Sequence, residues 1–312
     1  SVKKNNGDFL VKGNFKNDIV ELNEKDLELL KENIFFNIDF SKVKFSSKNN
    51  FSFKVDKKFK FKDKKIISKI QLHEAKILNN LNLNSIFPDI KKEIRLLNNE
   101  INLDYKKNFL LINGNGKVLL QKTEDLISYK FKKDKNRSTF ENLLKIKKNP
   151  FLIEFLNYEK NKDEETILKI NGYKDKNDDI YIKAATLNEV KNKIGINDIH
   201  FDSNYRLINF GNVNLDYTDK DKQKNLINIQ RKKENYILDG IYVNADNLVE
   251  KILFKDSDNS FLNKNFNIDI KIENVRLDNE FLLRDFNGNL YFKKGKLSKG
   301  NLNGKFSDNK EM

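Results

Sequence analysis

The sequence predicts an all-β protein: an elongated, curled antiparallel β-sheet, open like a groove, with more than ten strands and one or two short helices. Three observations carry this. Apolar residues alternate with charged ones over much of the chain, turn signals separate the alternating runs, and only two prolines, Pro88 and Pro150, interrupt 312 residues. Ile34, Phe36, Ile38 and Phe40 fall on one face. Phe51, Phe53, Val55, Phe59 and Phe61 continue it, with Lys and Asp between them. Further runs are 66–72, 101–105, 109–120, 127–131, 167–173, 180–184, 213–217, 236–243, 266–272 and 290–297. Asn-Asn, Asp-Lys-Asn, Asn-Gly and Lys-Gly lie between them as turn chemistry.

The two prolines are candidate segment joints. Helices are expected at two places only. Asn23 is placed to cap a helix running to Asn33, with Leu22 and Leu27 as a hydrophobic staple. Asn244 is placed to cap another, because Ala245, Leu248, Val249, Ile252 and Leu253 form an apolar stripe of helical period.

Composition limits the function classes. With 25 Phe and 38% apolar residues the chain can build an extended apolar layer, while a mean hydropathy of -0.72 and 34% charged residues leave much of it wet. A thin sheet with one dry face satisfies both. The net charge of +14 invites a nucleic-acid or anionic-membrane reading. Only six of the 60 basic residues are Arg, however, whereas base readout and phosphate forks favour Arg, so no nucleic-acid partner is expected. An AT-rich coding bias accounts for the surplus of Lys and Asn, and attraction to acidic lipid is the competing account. Lys58, Lys60 and Lys62 are read as the solvated face opposite the apolar one.

The chain has no cysteine, which excludes disulfides, thiolate nucleophiles and Cys-ligated metals. His73 and His200 are far apart and lack ligand spacing, so no metal, no cofactor and no enzymatic activity are expected. Asp178-Asp179 and Glu164-Glu165 read as turns, since neighbouring strand positions point to opposite faces. Gly114-Asn115-Gly116-Lys117 lacks the full spacing of a phosphate loop and reads as a bulge or tight turn. Asn-Gly at Asn171, Asn287 and Asn303 reads likewise.

The C-terminal third carries a more specific pattern. Residues 236–253 (YILDGIYVNADNLVEKIL) lead through a polar loop to 266–277 (FNIDIKIENVRL), then to 281–292 (FLLRDFNGNLYF), Gly295-Lys296-Leu297 and 302–306 (LNGKF). From about residue 201 onward this resembles the AsmA-like repeat region of large bacterial envelope proteins of the YhdP and TamB type. The Lys- and Phe-rich stretch around 51–63 resembles the less patterned middle of such proteins. The expected organisation is therefore a groove segment over 1–200, continuous with an AsmA-like repeat segment over 201–312, the whole being internal to a longer protein. The resemblance implies a periplasmic, non-enzymatic conduit for phospholipid, anchored to the inner membrane and reaching the outer membrane through regions outside this chain.

A diacyl lipid exposes roughly thirty methylenes, so its passage through water would cost on the order of 20 kcal/mol. A curled sheet would supply a continuous apolar surface instead. The resemblance nominates one face of the clearest strands as its lining: Ile34, Phe36, Ile38, Phe40, Phe51, Phe53, Phe266, Ile268, Ile270, Ile272, Leu290 and Phe292. Alternation alone fits equally well a structural or adhesive β-solenoid or sandwich, in which these side chains pack on one another.

Overall fold

A computed structural model describes residues 1–5, 8–31, 39–80, 82–246, 262, 264–277 and 281–308. Strands make up 70% of it and helix 3%, so any apolar layer must be built on sheet. Among the described residues no helix is long and apolar enough to cross a membrane. The chain divides into two compact units, Ser1–Leu83 with Asp89–Asn149, and Asn84–Pro88 with Pro150–Met312. Each proline sits at a joint between them. Residue 200, about where the AsmA-like segment is expected to begin, lies within a strand of the second unit, Lys193–Phe201.

Unit 1 is an antiparallel meander of eight strands: β1 (Val2–Asn5), β2 (Asp8–Asn23), β3 (Phe40–Val55), β4 (Phe61–Leu78), β5 (Glu93–Lys106), β6 (Phe109–Leu119), β7 (Asp125–Lys133) and β8 (Ser138–Ile146). Strands β3, β4, β5 and β7 are longer than the sequence runs suggest, β6 matches its run, and β1, β2 and β8 lie outside those runs altogether. His73 therefore sits within β4 rather than at a strand end. Helix α1 (Glu24–Lys31) starts where expected. Asn23 Oδ1 accepts the amides of Lys25 and Asp26 at 3.0 and 3.3 Å, and Asp26 returns a carboxylate to the Asn23 amide at 3.0 Å. Leu27 is buried beneath it.

Unit 2 contains β9 (Leu152–Ile153), a 3-10 turn (Glu154–Leu156) and β10 (Tyr158–Glu159), followed by the sheet strands. These are β11 (Thr166–Lys174), β12 (Ile180–Asn188), β13 (Lys193–Phe201), β14 (Leu207–Asn209), β15 (Val213–Thr218), β16 (Lys224–Lys232), β17 (Asn235–Asn244), β18 (Phe266–Arg276), β19 (Phe281–Lys293) and β20 (Lys296–Asp308). The expected single run 290–297 is thus two strands, joined by a tight turn at Lys294 and Gly295, both at positive φ. The described strands do not close into a barrel.

One pair departs from the expected antiparallel arrangement: β17 and β18 run parallel, with Tyr236 beside Ile268 and Gly240 beside Ile272. A parallel pair needs a crossover of a dozen or more residues, which the segment between Asn244 and Phe266 supplies. The helix expected there, through Leu248, Val249, Ile252 and Leu253, lies outside the described residues.

Four hairpin turns share one geometry that dispenses with glycine. In 56–60, 175–179, 202–206 and 219–223 the first residue is Asp, its amide closes the turn on the fifth carbonyl at 3.0–3.1 Å, and its Oδ1 accepts the fifth amide at 2.8–3.2 Å. The fourth residue, Phe59, Asp178, Tyr205 or Lys222, takes the left-handed conformation. At Asp56, the Lys60 amide and the Lys62 ammonium hold the carboxyl well down, at about 2. The chain therefore reverses at Asp56, so Phe59 is a turn tip and not a member of the Phe51–Phe53 face. Lys58 and Lys60 likewise belong to the turn.

Candidate functional site

Pairing register assembles a broad apolar face in unit 1. One cross-strand row runs Phe15, Asn49, Ser68, Leu103, Ile112, Phe131, Phe140 from β2 to β8. The rows beside it run Gly13, Phe51, Ile66, Tyr105, Leu110 and Asn17, Ser47, Ile70, Ile101, Gly114, Tyr129. Seven strands at about 4.8 Å spacing make each full row roughly 29 Å long. Intervening residues such as Lys48, Lys69, Asn102 and Lys130 occupy the other face. There Lys42 meets Glu21 at 2.7 Å and Lys76 meets Glu93 at 3.3 Å. Such exposed pairs are worth little individually and keep that face wet.

This apolar face is only partly covered. Leu72, Ala75, Val118 and Ile146 are buried near one end, whereas Phe9 (44%), Phe15 (54%), Phe61 (60%) and Tyr105 (39%) remain exposed towards the other. Phe15, Phe51, Phe53 and Phe61 form a run of ring contacts with centroids 5.2–6.2 Å apart. Gly13 admits the Phe51 ring, whose Cζ would stand 2.5 Å from any Cβ there. Polar members of the face satisfy one another: Ser47 donates to Asn17 Oδ1 at 3.0 Å, and Asn49 Nδ2 donates to Ser47 Oγ at 2.7 Å. Tyr129 lies over Gly114, and burial pushes its phenol up to about 12.

Of the residues nominated from sequence in this unit, Phe51 and Phe53 share the face and both are half-buried. Phe40 pairs with Ile77 beyond a bulge. Ile34, Phe36 and Ile38 lie outside the described residues. Phe15, Leu103, Ile112, Phe131 and Phe140 lie on the same face without having been nominated. Pairing register reveals them; alternation within the runs 101–105, 109–120 and 127–131 was the available signal for Leu103, Ile112 and Phe131, whereas Phe15 and Phe140 lay outside every run.

In unit 2 the nominated residues come together on β18 and β19. Phe266 stands opposite Phe292, Ile268 opposite Leu290 and Ile270 opposite Gly288. A longer row through Ile170, Ala185, Ile196, Val213, Ile229, Leu238 and Ile270 continues that face across the sheet. Here, however, much of the face is closed. Phe210, Tyr236, Phe266 and Phe292 form an aromatic chain with centroids 4.5–5.7 Å apart, and fully buried Leu262 packs against Tyr236 and Phe266. Ile272 is buried too, while Ile268, Ile270 and Leu290 keep partial exposure. At the opposite strand ends the 3-10 turn closes the face, with Tyr217 Oη donating to the Leu156 carbonyl at 2.8 Å.

A cavity of about 800 Å³ opens on the polar face of unit 2, lined by Lys193, Asn197, Asp216, Asn228, Asp239 and Glu273 among others. None of the nominated residues lines it.

The chemical motifs resolve into structure. Gly114–Gly116 is strand interior, and the bulge lies opposite, where Asn98 and Asn99 of β5 face Gly116. Asn171-Gly172 sits at a register shift in β11. His73 Nε2 is 3.3 Å from Ser46 Oγ. His200 stacks on Tyr181 at 4.2 Å and lies 3.2 Å from Asp179, itself in the 175–179 turn.

Comparison of the chain with protein-family models, with curated proteins and with solved structures found no match.

Proposed function

We propose that this chain is a segment of a non-enzymatic lipid-transfer conduit of the bacterial envelope, with phospholipid acyl chains lying along the apolar face of unit 1. The AsmA-like resemblance motivates the setting: the periplasm, with inner and outer membranes engaged through regions outside this chain. The observation that carries the reading is the partial exposure of Phe9, Phe15, Phe61 and Tyr105 on a seven-strand apolar face. A contiguous exposed patch of this kind is unusual on a solvated protein and is expected to be covered by an apolar partner. Acyl methylenes gain about 0.8 kcal/mol each on leaving water for such a surface. Headgroups can stay wet at its margin, so no reacting side chain is needed.

A structural or adhesive β protein is the second reading. The closed aromatic cluster around Leu262 favours it, since that part of unit 2 is packed like an ordinary core.

Lipid content separates the two. Chain purified from a bacterial host is expected to carry phospholipid, measured by extraction and mass spectrometry. Ile112→Glu, which places a carboxylate in the middle of the face, is expected to lower that content severalfold while the circular dichroism stays that of a β protein. Lipid no more abundant than on an unrelated β protein carried through the same purification would favour the structural reading.

A further inference from the structure

The strands of unit 1 alternate in direction, so the hairpin turns 56–60, 106–109 and 134–137 lie at one end of the meander. That end combines two features. Phe59 is 83% exposed at the tip of the first turn, and Phe61 beside it is 60% exposed. Around them the segment 57–65 holds six lysines. The two carboxylates next to and within it in sequence are engaged, Asp56 with Lys62 at 2.9 Å and Asp63 with Lys54 at 2.7 Å, and Asp8 lies near Lys54 and Lys62. Among the described residues Lys57, Lys58, Lys60, Lys64 and Lys65 have no carboxylate partner. The neighbouring turns add Lys106, Lys107, Lys132, Lys133, Lys135 and Arg137. Asp134 spends one carboxylate oxygen on the amides of Asn136 and Arg137.

We propose that this turn end of unit 1 docks on an anionic lipid bilayer, with Phe59 entering the headgroup and acyl boundary and the surrounding lysines meeting lipid phosphates. Charge complementarity selects an anionic surface. The aromatic tip then selects a bilayer over a wholly polar polyanion, because only a bilayer offers apolar depth beneath its charge. Arg contributes one of the twelve cations, which argues against the bidentate phosphate forks of nucleic-acid recognition. The tip is also preorganised. Asp56 Oδ1 accepts the amides of Lys58 and Lys60, both at 2.9 Å, so Phe59 is presented without ordering a loop on contact. This inference stands apart from the conduit reading, since a structural envelope protein could dock in the same way.

Co-sedimentation of the whole chain with vesicles tests it. Binding is expected to vesicles in which about a third of the lipid is phosphatidylglycerol, not to phosphatidylcholine alone, and to weaken as salt rises. The triple variant K57E/K58E/K60E should lose at least about tenfold in affinity, given the contribution of each lysine near an anionic surface. K16E/K48E/K69E, equal in charge change but on the strands, should lose far less. Phe59→Asn keeps a residue tolerant of the left-handed conformation, so the turn is retained, and should lose about fivefold through lost insertion. Equal losses for the two triple variants, an unaffected Phe59→Asn, or binding to phosphatidylcholine alone would overturn the proposal. So would tighter binding to duplex DNA than to vesicles at the same salt. Because the readout is attachment of the chain to vesicles, its failure would leave acyl-chain capture on the apolar face untouched.

Discussion

Tyr217→Ala is expected to lower the stability of unit 2 by about 3–5 kcal/mol, the usual cost of removing a large, fully buried ring. Tyr217 is 0% exposed on the apolar face of β15. Its ring meets Tyr158 edge-on at 5.9 Å, and its hydroxyl donates to the Leu156 carbonyl at 2.8 Å. Truncation leaves both a cavity and an unpaired carbonyl. Tyr217→Phe keeps the ring and should cost only about 1 kcal/mol, the net worth of the hydrogen bond. The pair also differs in alkali. Burial, followed by the nearby Asp219 charge, raises the Tyr217 phenol above its ordinary value. The unfolded chain therefore ionises this tyrosine first, near pH 10, so stability is retained below that value and declines above it. In urea titrations that decline should be shallower for Tyr217→Phe than for the parent.

Gly116→Val is expected to cost unit 1 about 3 kcal/mol, at the upper end of overpacking effects. A Cβ at this position would stand 2.6 Å from Asn99 Cα, which is backbone and cannot swing aside. Asn99 is fully buried, and its Nδ2 bridges the Leu97 and Lys117 carbonyls at 3.0 Å each, pinning the β5 bulge to β6. Any side chain at 116 must push these strands apart. Gly195→Ala is the contrast: the nearest atom is Thr186 Cγ2 at 3.8 Å, and stability should change by less than about 0.5 kcal/mol. Urea unfolding gives both values, and hydrogen exchange should show lost protection confined to β5 and β6 for Gly116→Val.

The all-β class was legible because alternation survives in runs such as 266–272, where the apolar side chains of β18 do share one face. Strand β2 was not legible. Its face carries Gly13 and Asn17, which earn their places from Phe51 and Ser47 of the neighbouring strand and leave no apolar period of their own. Asp-initiated turns without glycine hid the reversal at Phe59. Strand direction was also unreadable, since alternation is the same for the parallel β17–β18 pair as for an antiparallel one. At the candidate site, period-2 spacing assigned Phe51, Phe53, Phe266 and Phe292 to faces but said nothing of cover. Cover depends on packing between side chains, which period-2 spacing does not encode. Leu262 closes Phe266, whereas Phe53 and Phe61 meet each other at 5.2 Å on a face left partly open.

That partial opening is where the lipid reading is most directly tested. Photo-crosslinking residues placed at Phe53, Ile112 and Ile270, and at Lys69 on the polar face, would be irradiated in living bacteria and the adducts identified by mass spectrometry. The conduit reading predicts phospholipid adducts at Phe53 and Ile112, fewer at Ile270, whose face is partly closed by the aromatic cluster around Leu262, and none above background at Lys69. Capture at Phe53 and Ile112 no greater than at Lys69 would contradict it.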